Sequence, residues 1–357
     1  MWLDEFDFDL PEELIAQHPP PRREESRMLV LSRSEKTWQD QNFYELPDFI
    51  EENDLIIVNN TRVFPARLNG EKVPSGGRIE LLLIKEVEKN VWLSLARPAR
   101  RLHSSDRLLF SNGATKLMAE VIDARHDGMR TVRFFCDGDF DLFLDKLGRT
   151  PLPPYIKRDD ATSSNMEAID RKRYQTVFAK KRGSIAAPTA GLHFTSEIIN
   201  QIKNRGADVA EITLHVGYGT FAPVRAAKAE DHRVTPESYE ISEETVLKIK
   251  KTREVAGRII AIGTTTTRAL ESIAASGKEI EPHSAHLARS GSADLTITPG
   301  YCFRLVDAML TNFHLPQSSL LLLVCAFAGR DLTLSAYRHA VAQRYRFYSY
   351  GDCVFIR

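Results

Sequence analysis

A change of texture near residue 65 is what most narrows the folds open to this chain. From about Pro65 to Gly148, short apolar runs (Arg78 to Ile84, Val91 to Ala96, Leu117 to Ile122, Thr131 to Phe135) are separated by Gly, Asp and Asn. Short runs at near-regular spacing between turn residues predict a compact, mostly β unit. The unit closes with a short helix over Asp141 to Leu147. Pro151-Leu152-Pro153-Pro154 then forms a stiff stop, because proline fixes φ and has no backbone donor. Outside this stretch the pattern alternates strand and helix. Met28 to Leu31 and Leu55 to Val58 read as strands. Thr195 is placed to cap a helix with Ile198, Ile199 and Ile202 on one face and Gly206 at its end. A strand from Val209 to Val216, a helix from Ser242 to about Val255 and a strand from Arg258 to Ile262 follow. Pro316 suits the first turn of an apolar helix ending at Gly329, and a last helix spans about Ser335 to Arg344. The prediction is a mixed α/β fold: a discontinuous α/β body, residues 1–64 and 149–357, interrupted by a smaller β-rich, barrel-like domain at 65–148.

The length of 357 residues agrees, since about 150 residues per domain gives two. With 43% hydrophobic and 27% charged residues, disorder and small disulfide-stapled scaffolds are excluded. Basic and acidic residues balance at 48 each, which argues against a broadly basic nucleic-acid coat but leaves room for one local basic face. Cys136, Cys302, Cys325 and Cys353 form no CxxC pair, so neither a zinc site nor a disulfide framework is expected. Met1 to Leu14 holds six acids and no base, the opposite of a signal peptide. The longest apolar run, Leu320 to Ala328, has nine residues, far short of a membrane span. A soluble, cytoplasmic protein with no metal and no membrane partner is expected.

Five loops carry residues that folding alone does not demand. Ala186 to Phe194 combines small residues, Pro188, Thr189, Gly191 and His193, and runs into the helix capped by Thr195, where backbone amides favour an anion. His215-Val216-Gly217-Tyr218-Gly219-Thr220 follows a strand on which Glu211, Thr213 and His215 share the more polar face. An imidazole at a strand end beside glycines is a general-base candidate. Gly217-x-Gly219-x-x-Ala222 matches a dinucleotide fingerprint only as text, because Pro223 follows and no helix opens. Gly263-Thr264-Thr265-Thr266-Thr267-Arg268 opens a helix after a strand and suits a carboxylate or phosphate; a plain cap explains one threonine, not four. Asp307 with Thr311-Asn312-Phe313-His314 is the fourth loop. The fifth, Tyr345 to Asp352, holds four aromatics in six residues, either core filler or stacking surface for a base. His283 and His286 lie in a polar stretch and read as surface residues. Basic residues gather twice: Arg97, Arg100, Arg101 and Arg107 around Asp106, and Lys157, Arg158, Arg171, Lys172, Arg173, Lys180, Lys181 and Arg182 within 151–182. Two such patches, one on each domain, can track an RNA backbone.

Asn59 to Leu68, Pro151 to Arg158, Ala186 to Thr195, Leu214 to Arg225, Gly263 to Ser272, Pro299 to Gly329 and Tyr337 to Asp352 together resemble one family. It is the S-adenosylmethionine:tRNA ribosyltransferase-isomerase family of queuosine biosynthesis, and the resemblance runs from Asp9-Leu10-Pro11 to the last strand. Pro188-Thr189-Ala190-Gly191-Leu192-His193-Phe194 and Thr311-Asn312-Phe313-His314-Leu315-Pro316 are its most specific motifs. The chain departs from the family pattern at Asn60, usually Asp; at Val234-Thr235-Pro236-Glu237, often Met-His-Ser-Glu; and at Ala99, usually Gly.

The resemblance implies a mixed α/β body with a β-rich insertion. It implies transfer of the ribosyl group of S-adenosylmethionine to the aminomethyl-deazaguanine at a tRNA wobble position, giving epoxyqueuosine with loss of adenine and methionine. S-adenosylmethionine is then a consumed substrate, no further cofactor is implied, and the family expectation is a monomer. As the base that deprotonates the ribose C5′ carbon beside the sulfonium, His215 ranks first and His193 second, with His314 and Asp307 as further candidates. Candidate substrate contacts are Asn60, Thr61, Arg62, Thr189, Gly191, Gly217, Gly219, Thr220, Thr264, Thr265, Arg268, Asn312, Tyr345, Phe347 and Asp352. Thr264, Thr265 and Arg268 are placed to hold the methionine carboxylate, and Tyr345 or Phe347 to stack on a base. Candidate tRNA contacts are Arg100, Arg101, Lys157, Arg158, Arg173, Lys181 and Arg182. The competing readings are an RNA methyltransferase and a non-catalytic tRNA-binding protein.

Overall fold

The computed structural model describes residues 1–125, 127–158, 163–221, 224–275 and 289–357, without the side chains of 163–164, 220–221 and 289. Four parallel strands form the middle of a nine-stranded sheet, in the spatial order Asp208–Leu214, Leu55–Asn59, Ile259–Ile262, Ala308–Asn312. Along the chain that order is 2-1-3-4, so the direction of winding reverses between Leu55–Asn59 and Ile259–Ile262. Cys353–Ile356, Arg27–Ser32 and Thr37–Asn42 extend one edge, and Glu237–Ile241 and Arg289–Ala293 the other. Every residue of Leu55–Asn59, Ile259–Ile262 and Ala308–Asn312 is buried, as parallel strands covered on both faces must be. Period two divides them: Leu55 and Ile57 join one apolar cluster with Leu321 and Val324, whereas Ile56 and Val58 join another with Ile198 and Ile202.

Several helices start where a short polar side chain accepts a free amide. Thr195 Oγ1 accepts from the amide of Ile198, and Ser242 Oγ from that of Thr245. Two sequence expectations need correction. The apolar helix spans Ser319–Ala328 and is capped by Ser318, so Pro316 lies in the turn before it. The next helix begins at Arg330, not Ser335, because Gly329 at φ 91° ends one helix and turns the chain by 116° into the other. Among the described residues no single helix is long and apolar enough to cross a membrane.

The inserted unit is a closed six-stranded barrel. Arg67–Val73, Gly77–Glu88, Val91–Arg97, Met129–Phe135, Thr115–Ala124 and Arg107–Asn112 pair in turn, and the last pairs back on the first. Its interior has its own cluster, including Leu68, Leu81, Leu83, Phe110, Val121 and Phe134. Helix Phe140–Leu147 follows, and Gly148–Arg149 adds to the first strand. Phe64, where the chain enters the barrel, and Ile185, just after the body strand Lys181–Ser184, pack into the barrel cluster. Arg182 reaches Asp145 on the barrel helix at 3.0 Å. Ala222, Pro223, His283 and His286 lie outside the described residues, as does the side chain of Thr220.

Candidate active site at the strand ends

In open α/β sheets, ligands sit outside the carboxyl ends of the strands, where the winding reverses. A cavity of about 430 Å³ lies over the carboxyl ends of Ile259–Ile262 and Ala308–Asn312, one strand beyond that reversal. Its walls come from the loops at 186–190, 263–265, 311–320 and 348–349, closed by Tyr155. Among the described lining residues there is no Asp, Glu, Lys or Arg.

The four threonines after Gly263 divide by geometry. Gly263 takes φ 94°, which releases the chain from the strand straight into the helix Thr264–Ala275. Thr266 and Thr267 donate their hydroxyls back to the carbonyls of Ile262 and Gly263, at 2.8 and 3.1 Å. Thr264 and Thr265 face the cavity beside the free amides of the first turn. Two are thus consumed by the fold and two are offered to a ligand.

His314 and Asn312 come from the loop that ends the neighbouring strand. His314 is buried, its Nε2 lies 2.8 Å from the Thr311 hydroxyl, and burial pushes its pKa down to about 3. It is therefore neutral at pH 7. Asn312 Nδ2 donates to the Tyr348 carbonyl at 2.9 Å and to His193 Nε2 at 3.3 Å. His193 Nδ1 meets the Ser26 hydroxyl at 2.9 Å, so a neutral imidazole protonated at Nδ1 satisfies both bonds. Burial, helped by the nearby Arg23 charge, holds His193 at about 3, and this chain fixes the orientation of Asn312. Asn312 Oδ1 is left buried with no hydrogen-bond partner among the described residues. Across the cavity, the rings of Tyr155 and Tyr348 lie 4.0 Å apart at 41°, and the Tyr155 hydroxyl meets Ser349 Oγ at 2.6 Å. Tyr348 is held at φ 72°, a strained conformation for an aromatic residue.

Of the four proposed bases, only His314 lines this cavity. Asp307 stands at the opposite end of its strand, where Oδ2 accepts from the amide of Ile259 at 2.7 Å and from Arg253 at 2.8 Å. It pins the sheet. His193 lies behind the cavity wall and reaches it only through its hydrogen bond with Asn312. Val216 lines the cavity, but His215 does not: its Nδ1 lies 2.7 Å from the Thr61 hydroxyl, and its ring rests on Gly183. A Cβ at Gly183 would stand 2.7 Å from the imidazole. Burial lowers the His215 pKa, against a smaller opposing effect of Glu240.

Several predicted substrate contacts are placed elsewhere. Tyr345 is fully buried, its hydroxyl on Asp40 at 2.6 Å and its ring under the Arg27 guanidinium. Phe347 packs in the core against Phe8, Phe313 and Tyr337. Neither has a face free for a base. Asp352 accepts from the amides of Arg27 and Arg346 at 2.9 and 2.7 Å and ties the last loop to the sheet. Asn60 bonds Thr213 and Glu211 in a different cleft, Arg62 is exposed, and Gly191 packs on Thr176. The Gly217 amide donates to Glu237. Gly219 and Arg268 line a neighbouring cavity, and Thr189 lines the central one. Tyr155, Tyr348 and Ser349 line the cavity but were not singled out from the sequence, because the bend at Tyr348, with φ 72°, that sets its ring apart from those of Tyr345 and Phe347 leaves no periodic signal.

Among the candidate tRNA contacts, Arg158 makes a two-pronged ion pair with buried Asp170 at 2.8 and 2.9 Å. Arg173 holds the carbonyls of Pro20 and Pro21, and Arg182 holds Asp145. These three serve the fold. Lys157 and Lys181 are exposed and paired with Glu12 and Glu240. Arg100 and Arg101 are exposed on the barrel, with no ion pair among the described residues.

A family model described as "Queuosine biosynthesis protein" matches residues 3–356. The chain belongs to this family. Two curated relatives, from Halothermothrix orenii and Natranaerobius thermophilus, are each named S-adenosylmethionine:tRNA ribosyltransferase-isomerase. Each is 47% identical, over 356 and 358 residues respectively, and each match covers 100% of both chains. A crystal structure of S-adenosylmethionine tRNA ribosyltransferase from Thermotoga maritima is 36% identical, covering 99% of this chain and 100% of that one at a TM-score of 0.55. The mixed α/β body with a barrel is thus an architecture shared within the queuosine biosynthesis family.

Proposed function

We infer that this chain is an S-adenosylmethionine:tRNA ribosyltransferase-isomerase. It moves the ribosyl group of S-adenosylmethionine to the 7-aminomethyl-7-deazaguanine of a tRNA wobble position and isomerises it, releasing adenine and methionine and leaving epoxyqueuosine. Full-length identity to two enzymes of that name carries the reading. The strand-end cavity is proposed as the donor site. The aromatic faces of Tyr155 and Tyr348 suit a sulfonium or an adenine ring, and Asn312 Oδ1 suits the adenine amino group. Thr264 and Thr265 offer hydroxyls at a helix start. An uncharged wall leaves the sulfonium as the local charge, which acidifies the ribose C5′ hydrogens. His314, neutral and in the wall, is the histidine positioned to meet them. S-adenosylmethionine enters as substrate, and the reading calls on no further cofactor or metal. The tRNA is proposed to cross the barrel at Arg100 and Arg101, and the protein to act as a cytoplasmic monomer.

Incubation with S-adenosylmethionine and tRNA bearing the deazaguanine precursor tests the reading. Epoxyqueuosine with equal release of adenine and methionine is expected. A methylated nucleoside without adenine would make the protein a methyltransferase. Tight tRNA binding with both ligands unchanged would make it a binding protein.

A further inference from the structure

Beyond Thr265 the donor cavity meets a second one of about 350 Å³, and the two share Thr265, Ser319 and Leu320. Their electrostatics differ. The first wall is uncharged, whereas the second carries Arg225, Arg233, Arg268 and His232 against one lining acid, Asp231. Arg268 is 6% exposed and bound to buried Glu237, yet its Nε is buried with no hydrogen-bond partner among the described residues. His232 Nε2 is buried and unpartnered in the same way. The Arg233 guanidinium is anchored by the carbonyls of Glu230 and His232, which fixes its position at the rim. Burial first, then the neighbouring Arg233 and Arg268, lower the pKa of His232. Ser319, on the shared wall, opens the ten-residue helix Ser319–Ala328, whose amino end adds to that field.

Buried unpartnered nitrogens are few in native folds, and two on one positively charged cavity call for a group to meet them. A guanidinium edge next to an imidazole N–H matches a flat or tetrahedral group with at least two anionic oxygens. We propose that this second cavity is an oxyanion site serving the candidate active site, with Arg268, Arg233 and His232 as its donors. The proposal rests on the functional reading above, which supplies two sources of that chemistry: the carboxylate of the sulfonium donor and a phosphate of the RNA.

Arg233→Gln and His232→Gln test it, because both leave the Arg268–Glu237 pair in place. Binding of S-adenosylmethionine, of its decarboxylated analogue and of precursor tRNA would be measured for each variant and for the parent chain. A carboxylate site predicts that Arg233→Gln binds S-adenosylmethionine about tenfold more weakly and the decarboxylated analogue unchanged. A phosphate site predicts unchanged S-adenosylmethionine, weaker tRNA and a salt dependence of binding reduced by about one phosphate contact. Either outcome supports an oxyanion site and names its source. Variants that melt like the parent and bind all three ligands equally well would overturn the proposal while leaving the functional reading intact. A parent chain that binds neither S-adenosylmethionine nor tRNA would overturn the reading itself.

Discussion

In the body, the parallel strands Ile259–Ile262 and Ala308–Asn312 stop side by side, and the chain leaves them for different helices. In the barrel, strands pair antiparallel with their neighbours, and the last returns to the first. Both interiors are sealed by aliphatic and aromatic side chains. Only the open sheet leaves strand ends at which loops must diverge, and there neutral polar groups gather. On the barrel's outer face, Arg67 pairs with Glu80 and Lys72 with Asp106. Under the proposed reading, the open sheet holds the small donor and the closed barrel meets the tRNA.

The largest expected effect strikes the body's cavity alone. Tyr348→Gly removes the ring but suits a φ of 72°, so stability should hold while S-adenosylmethionine binding weakens about 10- to 100-fold, the ~1–3 kcal/mol of a stacked aromatic. Calorimetric titration and a thermal melt separate the two. A change in tRNA affinity of the same size would blur the division between body and barrel.

Acid should also loosen the body through its buried histidines. His193 and His314 stay neutral down to about pH 3 when folded but take up a proton near 6.5 when unfolded. Between those values the unfolded chain binds more protons, so stability is full above about pH 6.5 and falls as pH drops. The slope is about 1.4 kcal/mol per pH unit for each histidine. Urea unfolding from pH 7 to 4 should show it, and His193→Gln should remove about half of this histidine component.

The threonine pairs sharpen the comparison within one helix. Thr265→Val should weaken S-adenosylmethionine about tenfold, whereas Thr266→Val, which loses only a back-bond to Ile262, should bind within about twofold of the parent. Equal losses would mean that the cavity does not read this helix start. The smallest effect belongs to the barrel. Arg100→Gln with Arg101→Gln should leave S-adenosylmethionine untouched and weaken tRNA several-fold, with a salt slope lower by about two.

Much of the fold is legible in the sequence because burial on both faces writes continuous apolar runs such as Ile259 to Ile262, and caps such as Thr195 and Ser242 mark helix starts. Two barrel strands were not legible. Arg67–Val73 buries only Leu68, and Arg107–Asn112 only Leu108 and Phe110, too few for a clear alternation. The site was legible loop by loop but not side chain by side chain. A tyrosine looks the same in sequence whether its hydroxyl reaches Asp40, as Tyr345 does, or its ring lines a cavity, as Tyr348 does. Arg158 and Arg173 likewise read as RNA contacts until Asp170 and the Pro20 carbonyl appear beside them.

Adenine release under saturating S-adenosylmethionine and precursor tRNA, compared between Asn312→Ala and His215→Ala, tests most directly whether the chemistry sits over the ends of Ile259–Ile262 and Ala308–Asn312. Asn312→Ala should lose about 100-fold, or ~2.7 kcal/mol of transition-state stabilisation, and His215→Ala should stay within a few-fold of the parent. A near-normal Asn312→Ala beside an inactive but folded His215→Ala would move the reaction to Thr61 and His215, past the ends of Leu55–Asn59 and Asp208–Leu214, and contradict the account.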